Sequence, residues 1–162
     1  MRRGLSLLEL IIVLAILAVL LAMGYNTYRH AQHRALARQA LVAIAATLRE
    51  GRSLAQRLNV GAVFSWSDAE HYELTVKNRT TGEVHRQYSR SVAPLEAAIK
   101  TSASGAWRTP GPGDKLSYEP PFGETRVTPL AIRVRFPGDP SAEACLKVIG
   151  VTGKVVIARA CP

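Results

Sequence analysis

The chain has 162 residues, a formal net charge of +9, 20% charged residues and two cysteines. Outside an apolar N-terminal run, roughly 140 residues remain, which is the size of one domain with one core. The sequence has no phosphate-binding glycine loop, no Gly-x-Ser-x-Gly elbow and no Cys-x-x-Cys pair, so we do not expect an enzyme or a cofactor. The basic charge favours polyanionic partners such as nucleic acid, or acidic protein surfaces. Solubility alone, or a source rich in basic proteins, explains the charge equally well.

The N-terminal run contains an ionisable carboxylate, Glu9. In residues 5–24 only Ser6, Glu9 and the final glycine interrupt the apolar character, and about 20 residues is the length that a helix needs to span a bilayer. Arg2 and Arg3 precede the run and predict a cytoplasmic N-terminus, with the rest of the chain exported. A carboxylate within a span costs roughly 2.5–3.5 kcal/mol on insertion scales, so Glu9 is a candidate functional residue.

Residues 4–13, GLSLLELIIV in one-letter code, resemble the N-terminal motif of type IV prepilins and type II secretion pseudopilins. In that family a prepilin peptidase removes a short basic leader that ends in glycine, the new N-terminus is methylated, and the fifth mature residue is Glu. The resemblance implies a leader at residues 1–4, cleavage between Gly4 and Leu5, methylation of Leu5, and Glu9 at the family position. Phe is more usual than Leu5, and the helix-kinking proline of many mature pilins is missing.

The position of Glu9 also has a physical interpretation. In a filament of packed N-terminal helices, a buried charge is tolerable only when it is paired. We therefore expect Glu9 to neutralise the α-amine of Leu5 of a neighbouring subunit and so to set the axial register of assembly.

A secretory signal peptide is the competing interpretation of the same residues. Arg2 and Arg3 would be its basic region and Leu10–Met23 its apolar region, but Ala22–Gly24 is a poor cleavage site. Both interpretations send the rest of the chain across the membrane.

Beyond Gly24 the helical period continues, and it predicts one helix from near Leu8 to Leu58. Its second half, residues 25–58, is expected to pack against a sheet through one face. That face comprises Leu36, Ala40, Ala43, Ile44, Thr47, Leu48, Leu54, Ala55 and Leu58. An arginine stripe beside it is expected to be solvated; it comprises Arg34, Arg38, Arg49 and Arg52.

Two histidines, His30 and His33, lie three residues apart on this helix and could share a metal ion. The sequence offers no third ligand at a useful spacing. We therefore expect interfacial polar residues and no metal.

From Val60 the period becomes that of strands. The predicted strands are Val60–Trp66, Tyr72–Lys77, Glu83–Ser89, Leu95–Lys100 and Leu130–Phe136. The proline- and glycine-rich segments Thr109–Gly113 and Pro120–Pro121 predict a long irregular loop between the last two.

The C-terminal residues predict a hairpin with a three-residue loop at 152–154. Pairing Val151 with Val155 sets a register in which Cys145 faces Cys161. An even pair of cysteines in an exported domain indicates a disulfide, which would contribute about 3 kcal/mol on the chain-entropy model. Two free buried thiols are the alternative.

The order of a long helix, about seven strands and a cysteine-bounded hairpin resembles the GspH/FimT branch of minor pilins and pseudopilins. The resemblance implies an α+β fold, with a long helix packed on antiparallel sheets in a β-sandwich-like head at residues 59–162. It also suggests DNA capture by basic residues of the hairpin, here Lys147, Lys154 and Arg159. In the predicted register Lys147 faces Arg159, and Lys154 lies at the tip. The family carries two arginines close after the glycine, whereas this chain has Lys154 and then Val156.

The sequence thus predicts a structural subunit of a type IV pilus or type II secretion pseudopilus. Its partners would be other pilins, the prepilin peptidase and methyltransferase, and the inner membrane, with the head in the periplasm. The alternative is a DNA-binding minor pilin that acts as a receptor in natural transformation. Such a protein would bind duplex DNA through phosphates without reading its sequence.

Overall fold

A long helix, α1, forms the N-terminal third of the molecule and runs from Leu7 to Leu58 in the computed structural model. The structure describes residues 7–102, 104–125, 131–158 and 160–161, so the predicted leader and the Gly4–Leu5 cleavage site lie outside the described residues. The 52 residues of α1 correspond to about 78 Å. The predicted helix is confirmed. It is followed by Asn59, whose φ of 53° is the left-handed conformation that commonly stops a helix.

The two halves of α1 have different surroundings. Every residue from 7 to 32 is exposed, and His33 is the first that is partly buried. The buried residues of the second half are Ala37, Leu41, Ile44, Ala45, Thr47, Leu48, Gly51 and Ala55. The predicted face is correct around Ile44 and Leu48 but wrong at Leu58, which is 52% exposed. The helix packs against strands of two sheets, so its buried stripe is wider than predicted.

The strands are β1 (Gly61–Trp66), β2 (His71–Lys77), β3 (Val84–Ser91), β4 (Glu96–Lys100), β5 (Lys115–Glu119), β6 (Glu124–Thr125), β7 (Ala131–Phe136), β8 (Asp139–Ile149) and β9 (Lys154–Ala158). They form a five-stranded sheet in the order β3-β2-β1-β5-β6 and a four-stranded sheet in the order β4-β7-β8-β9. All the strand pairs are antiparallel.

The core lies where both sheets meet the second half of α1. Strands β1 and β2 alternate cleanly, and their inward residues include Phe64, Trp66 and Tyr72, which contact one another through their rings. Ile132 on β7 and Leu146 on β8 contribute from the other sheet, both with no exposed surface. The α+β class, with one long helix packed on antiparallel sheets, is confirmed.

One prediction about the middle of the chain is wrong. The loop predicted between Thr109 and Pro121 contains β5, which pairs with β1 and buries Leu116 and Tyr118. The apolar alternation of β5 covers only five residues and lies between proline- and glycine-rich segments. It was therefore too short to be recognised beside the turn signals on either side.

Candidate functional site

The exposed half of α1 is an apolar surface that the rest of the described chain does not cover. Its length and composition are sufficient to cross a membrane. Large apolar residues expose about half or more of their surface along it, among them Leu8 at 68%, Leu20 at 59% and Leu17 at 47%. Glu9 is exposed on this surface and has no ion-pair partner among the described residues. An apolar helix of this size requires lipid or other helices around it.

The point where α1 leaves the head is a polar junction. Nδ1 of His30 lies 2.6 Å from Oδ2 of Asp139, the first residue of β8, and Nδ1 of His33 lies 3.1 Å from the same oxygen. Hydrogen bonds from Ser141, and then from His30, hold the pKa of the Asp139 carboxyl well below its usual range. The ring of His33 stacks on Phe136, with centroids 3.7 Å apart. The third potential ligand that the sequence did not reveal is therefore Asp139, more than 100 positions away.

Arg34, Arg38 and Arg49 of the arginine stripe of α1 are exposed, as the sequence predicted, and Arg52 is half-buried. Nη2 of Arg34 lies 3.5 Å from Oγ of Ser141, and Arg49 donates to the carbonyl of Val155 at 3.4 Å. Arg34 and Arg38 line one wall of a groove of about 810 Å³ beside β8 and β9. Arg34 and Arg49 thus contact the two strands of the C-terminal hairpin while remaining exposed.

The register of the C-terminal hairpin differs from the prediction. Lys147 faces Val156 and Ile149 faces Lys154, so Lys147 does not face Arg159, which lies outside the described residues. The turn spans four residues, Gly150–Gly153, because both glycines take positive φ, 62° and 61°. Lys154 is accordingly the first residue of β9 and not part of the loop. The hairpin is offset by three residues from the predicted pairing.

The disulfide between Cys145 and Cys161 forms despite this offset, with Cα atoms 5.3 Å apart. Cys145 pairs across the strands with Ala158, and the chain beyond β9 brings Cys161 back to it. The cysteine pairing is confirmed, and the free-thiol alternative is wrong. The bridge closes the C-terminus onto β8.

The corrected register places three lysines on one face of the four-stranded sheet. Directly opposed residues of neighbouring strands share a face, and Lys100 and Lys147 both pair with Ala131 of β7 from its two sides. Lys154, opposite Ile149, lies on the same outward face. None of the three forms an ion pair with another described residue. Lys100 is the member that the sequence analysis missed, because it lies 47 residues before Lys147.

The same face also carries two arginines whose charges are already neutralised. Arg135 pairs with Glu96 at 2.7 Å and Arg133 approaches Glu143 at 3.8 Å. Among the described residues of this face, the cations left over for an anion are therefore the three lysines, which we call the lysine face.

Comparison with known proteins finds the prokaryotic N-terminal methylation motif at residues 1–25. This motif supports a type IV pilin or pseudopilin that is processed by a prepilin peptidase and assembles with other pilins, and it suggests a structural subunit in place of an enzyme. Together with the apolar helix, it fits anchoring in the inner membrane and then in a filament. Neither the comparison with curated proteins nor that with solved structures finds a match to the chain.

Proposed function

We propose that this chain is a minor pilin or pseudopilin, a structural subunit of a type IV pilus or of a type II secretion pseudopilus. The observation that carries the proposal is the union of the methylation motif with a helix whose first 26 described residues are all exposed, on a head that is already folded. The exposed helix is stored in the inner membrane and then buried among the same helices of other subunits. Methylation of Leu5 follows cleavage after Gly4.

Glu9 is the assembly residue in this proposal. The apolar interior of a bilayer or of a filament disfavours an unpaired carboxylate, and the described part of the subunit offers Glu9 no partner. The α-amine of Leu5 on the next subunit supplies the opposite charge. Pairing of the two groups therefore stabilises one axial register of the packed helices relative to the other possible registers.

The test is incorporation of the Glu9→Ala variant into filaments sheared from cells. The variant should insert in the membrane and lose its leader as usual, because its apolar run is intact, but it should be absent from the filaments. Glu9→Asp keeps the charge and should restore part of the incorporation. Glu70→Ala removes an exposed acid of the head and serves as the control. Normal incorporation of Glu9→Ala would refute the assembly role.

The head is assigned to the periplasmic side. The basic leader holds the N-terminus in the cytoplasm, and a disulfide such as Cys145–Cys161 persists in oxidising compartments. The basic charge of the head and the resemblance to the GspH/FimT branch favour a low-copy subunit over the main shaft protein.

A second function, capture of duplex DNA in natural transformation, is favoured by the lysine face. Lys100 and Lys147 lie two strands apart, about 9–10 Å, and Lys154 lies on the strand beyond. Three unpaired cations on one face of the sheet suit the phosphates of a duplex. Contacts of this kind give binding that is independent of sequence and sensitive to salt.

Changing the three lysines to Glu tests this function. DNA affinity at moderate salt should fall about tenfold or more, and the slope of log K against log salt should flatten by about 2.7, since each phosphate contact contributes about 0.9. The control carries the same charge change at exposed sites elsewhere, Arg57, Lys77 and Lys115. Equal loss in both variants would indicate a general charge effect and remove the lysine face from the proposal.

A further inference from the structure

Three potential metal ligands from two distant parts of the chain meet at the helix–head junction. The ligand atoms of His30, His33 and Asp139 all lie within 4.8 Å of one another. The side chains of Asp139 and His33 are 6% and 12% exposed, whereas that of His30 is 48% exposed. The donors therefore form a small site that is closed toward the head and open on the side of His30.

The surroundings hold two of these side chains in place without an ion. Oδ1 of Asp139 accepts hydrogen bonds from the backbone N–H and the hydroxyl of Ser141, at 3.2 Å and 2.7 Å, which leaves Oδ2 directed at the two imidazoles. The His33 ring lies nearly parallel to that of Phe136, with 5° between their planes. Outer partners of this kind orient the ligands in metal sites and keep their rotamers fixed.

We propose that His30, His33 and Asp139 bind a divalent transition-metal ion of the Zn²⁺ type. Two imidazole nitrogens and one carboxylate oxygen are a donor set that suits Zn²⁺ and its neighbours, whereas Ca²⁺ and Mg²⁺ prefer oxygen ligands alone. Water completes the coordination on the exposed side.

The spacing of the donors is close to that which an ion requires. Bonds of about 2.0–2.2 Å around a tetrahedral Zn²⁺ separate neighbouring ligand atoms by about 3.3–3.5 Å. The present separations of 2.6 Å and 3.1 Å from Oδ2 need to open by less than about 1 Å to meet those bond lengths. Both imidazoles would then be neutral, with their Nδ1 lone pairs on the ion and the proton of each ring on Nε2.

An ion at this place would join α1 to β8. Residues 7–29 are exposed along their whole length, so the junction is where the direction of the free helix is set. Metal binding would fix that direction and stabilise the folded chain by mass action. The other arrangement of the same residues is a metal-free cluster in which both imidazoles donate to one carboxylate oxygen.

Calorimetry with Zn²⁺ on the full-length chain in detergent distinguishes the two arrangements. The affinity tag is removed and the protein is stripped with a chelator first. We expect one Zn²⁺ per chain and a rise in Tm of roughly 5–10 °C at a hundredfold excess over the Kd. Co²⁺ should give visible absorption bands at the same stoichiometry, and millimolar Ca²⁺ should not displace it.

Two variants assign the binding to these residues. His30→Gln changes the half-exposed ligand, so the head keeps its core, and Zn²⁺ affinity should fall at least tenfold; Asp139→Asn should do the same. His71→Ala is the matched control, because His71 also contacts an aspartate, Asp68, at 3.0 Å and is not part of the cluster of His30, His33 and Asp139. The Zn²⁺ affinity of this variant should be unchanged.

Asp139→Asn changes a buried side chain, and the test does not depend on its folding. His30→Gln alone is sufficient, provided that its Tm in chelator equals that of the wild type. The proposal is overturned if the wild type does not bind one Zn²⁺ per chain. Equal binding by His30→Gln and His71→Ala overturns it as well, as does displacement of Co²⁺ by Ca²⁺.

Discussion

Two glycines in the turn between β8 and β9 offer a matched test of how the C-terminal hairpin docks on the other sheet. Gly150 and Gly153 have nearly the same positive φ, 62° and 61°. A Cβ at Gly150 would meet nothing within 4 Å, whereas a Cβ at Gly153 would lie 2.6 Å from atoms of both Thr125 and Tyr118. The backbone N–H of Thr125 also donates to the carbonyl of Val151 at 2.8 Å.

The expected costs follow from these distances. Gly150→Ala adds only left-handed strain, about 1–2 kcal/mol. Gly153→Ala adds the same strain and also overpacks the contact with β5 and β6, for a further ~1–3 kcal/mol. The aromatic ring of Tyr118 is fully buried, so it cannot move aside as a flexible surface chain would.

Thermal unfolding in mild detergent, followed by tryptophan fluorescence, measures the difference. Trp66 is 2% exposed and reports on the core. Gly153→Ala should melt roughly 2–12 °C below Gly150→Ala. Equal melting temperatures for the two variants would refute the docking of this turn on the five-stranded sheet and, with it, the hairpin register in which Lys147 faces Val156.

Three further expectations concern stability. Reducing the disulfide should cost about 3 kcal/mol, measured as the fall in Tm with and without reductant, and an unchanged Tm would contradict its role in tying the C-terminus to β8. Leu48→Ala should cost about 2–5 kcal/mol and Leu58→Ala much less, because Leu48 has no exposed surface and Leu58 is 52% exposed; similar costs would invalidate the helix face. Hydrogen bonds from Arg108 hold the pKa of Asp114 below its usual value in the folded chain. The unfolded chain therefore takes up this proton at a higher pH. The ion pair stabilises the fold above a pH of about 4, and this contribution is lost as the pH falls further. Asp114→Asn should therefore flatten the acid limb of Tm against pH, and an unaltered limb would rule out this ion pair as its source.

The helix could be predicted closely because its signal is long. An apolar run followed by a 3.6-residue period predicts the last residue of α1, Leu58, and a helix that already includes the first described residues. Strands β1, β2 and β7 of the head were also recognisable from their alternation. In contrast, β5 is short and lies among turn residues, so its burial depends on pairing with β1, which no local pattern encodes.

The hairpin register could not be derived because both candidate turns contain glycine and both pairings oppose apolar residues. The choice is made by Gly153, which packs against Tyr118 and Thr125 of the other sheet. The same limit applies to the site residues. Glu9 was found by its spacing from a leader, whereas Asp139 and Lys100 join their partners only through the packing of distant strands.

The mass of the mature N-terminus, determined by mass spectrometry on protein from membrane or sheared filament fractions, tests the pilin assignment most directly. We predict a chain that begins at Leu5 and carries one methyl group on its α-amine. A chain that still begins at Met1, or one cleaved after Gly24 as a signal peptide, would contradict it.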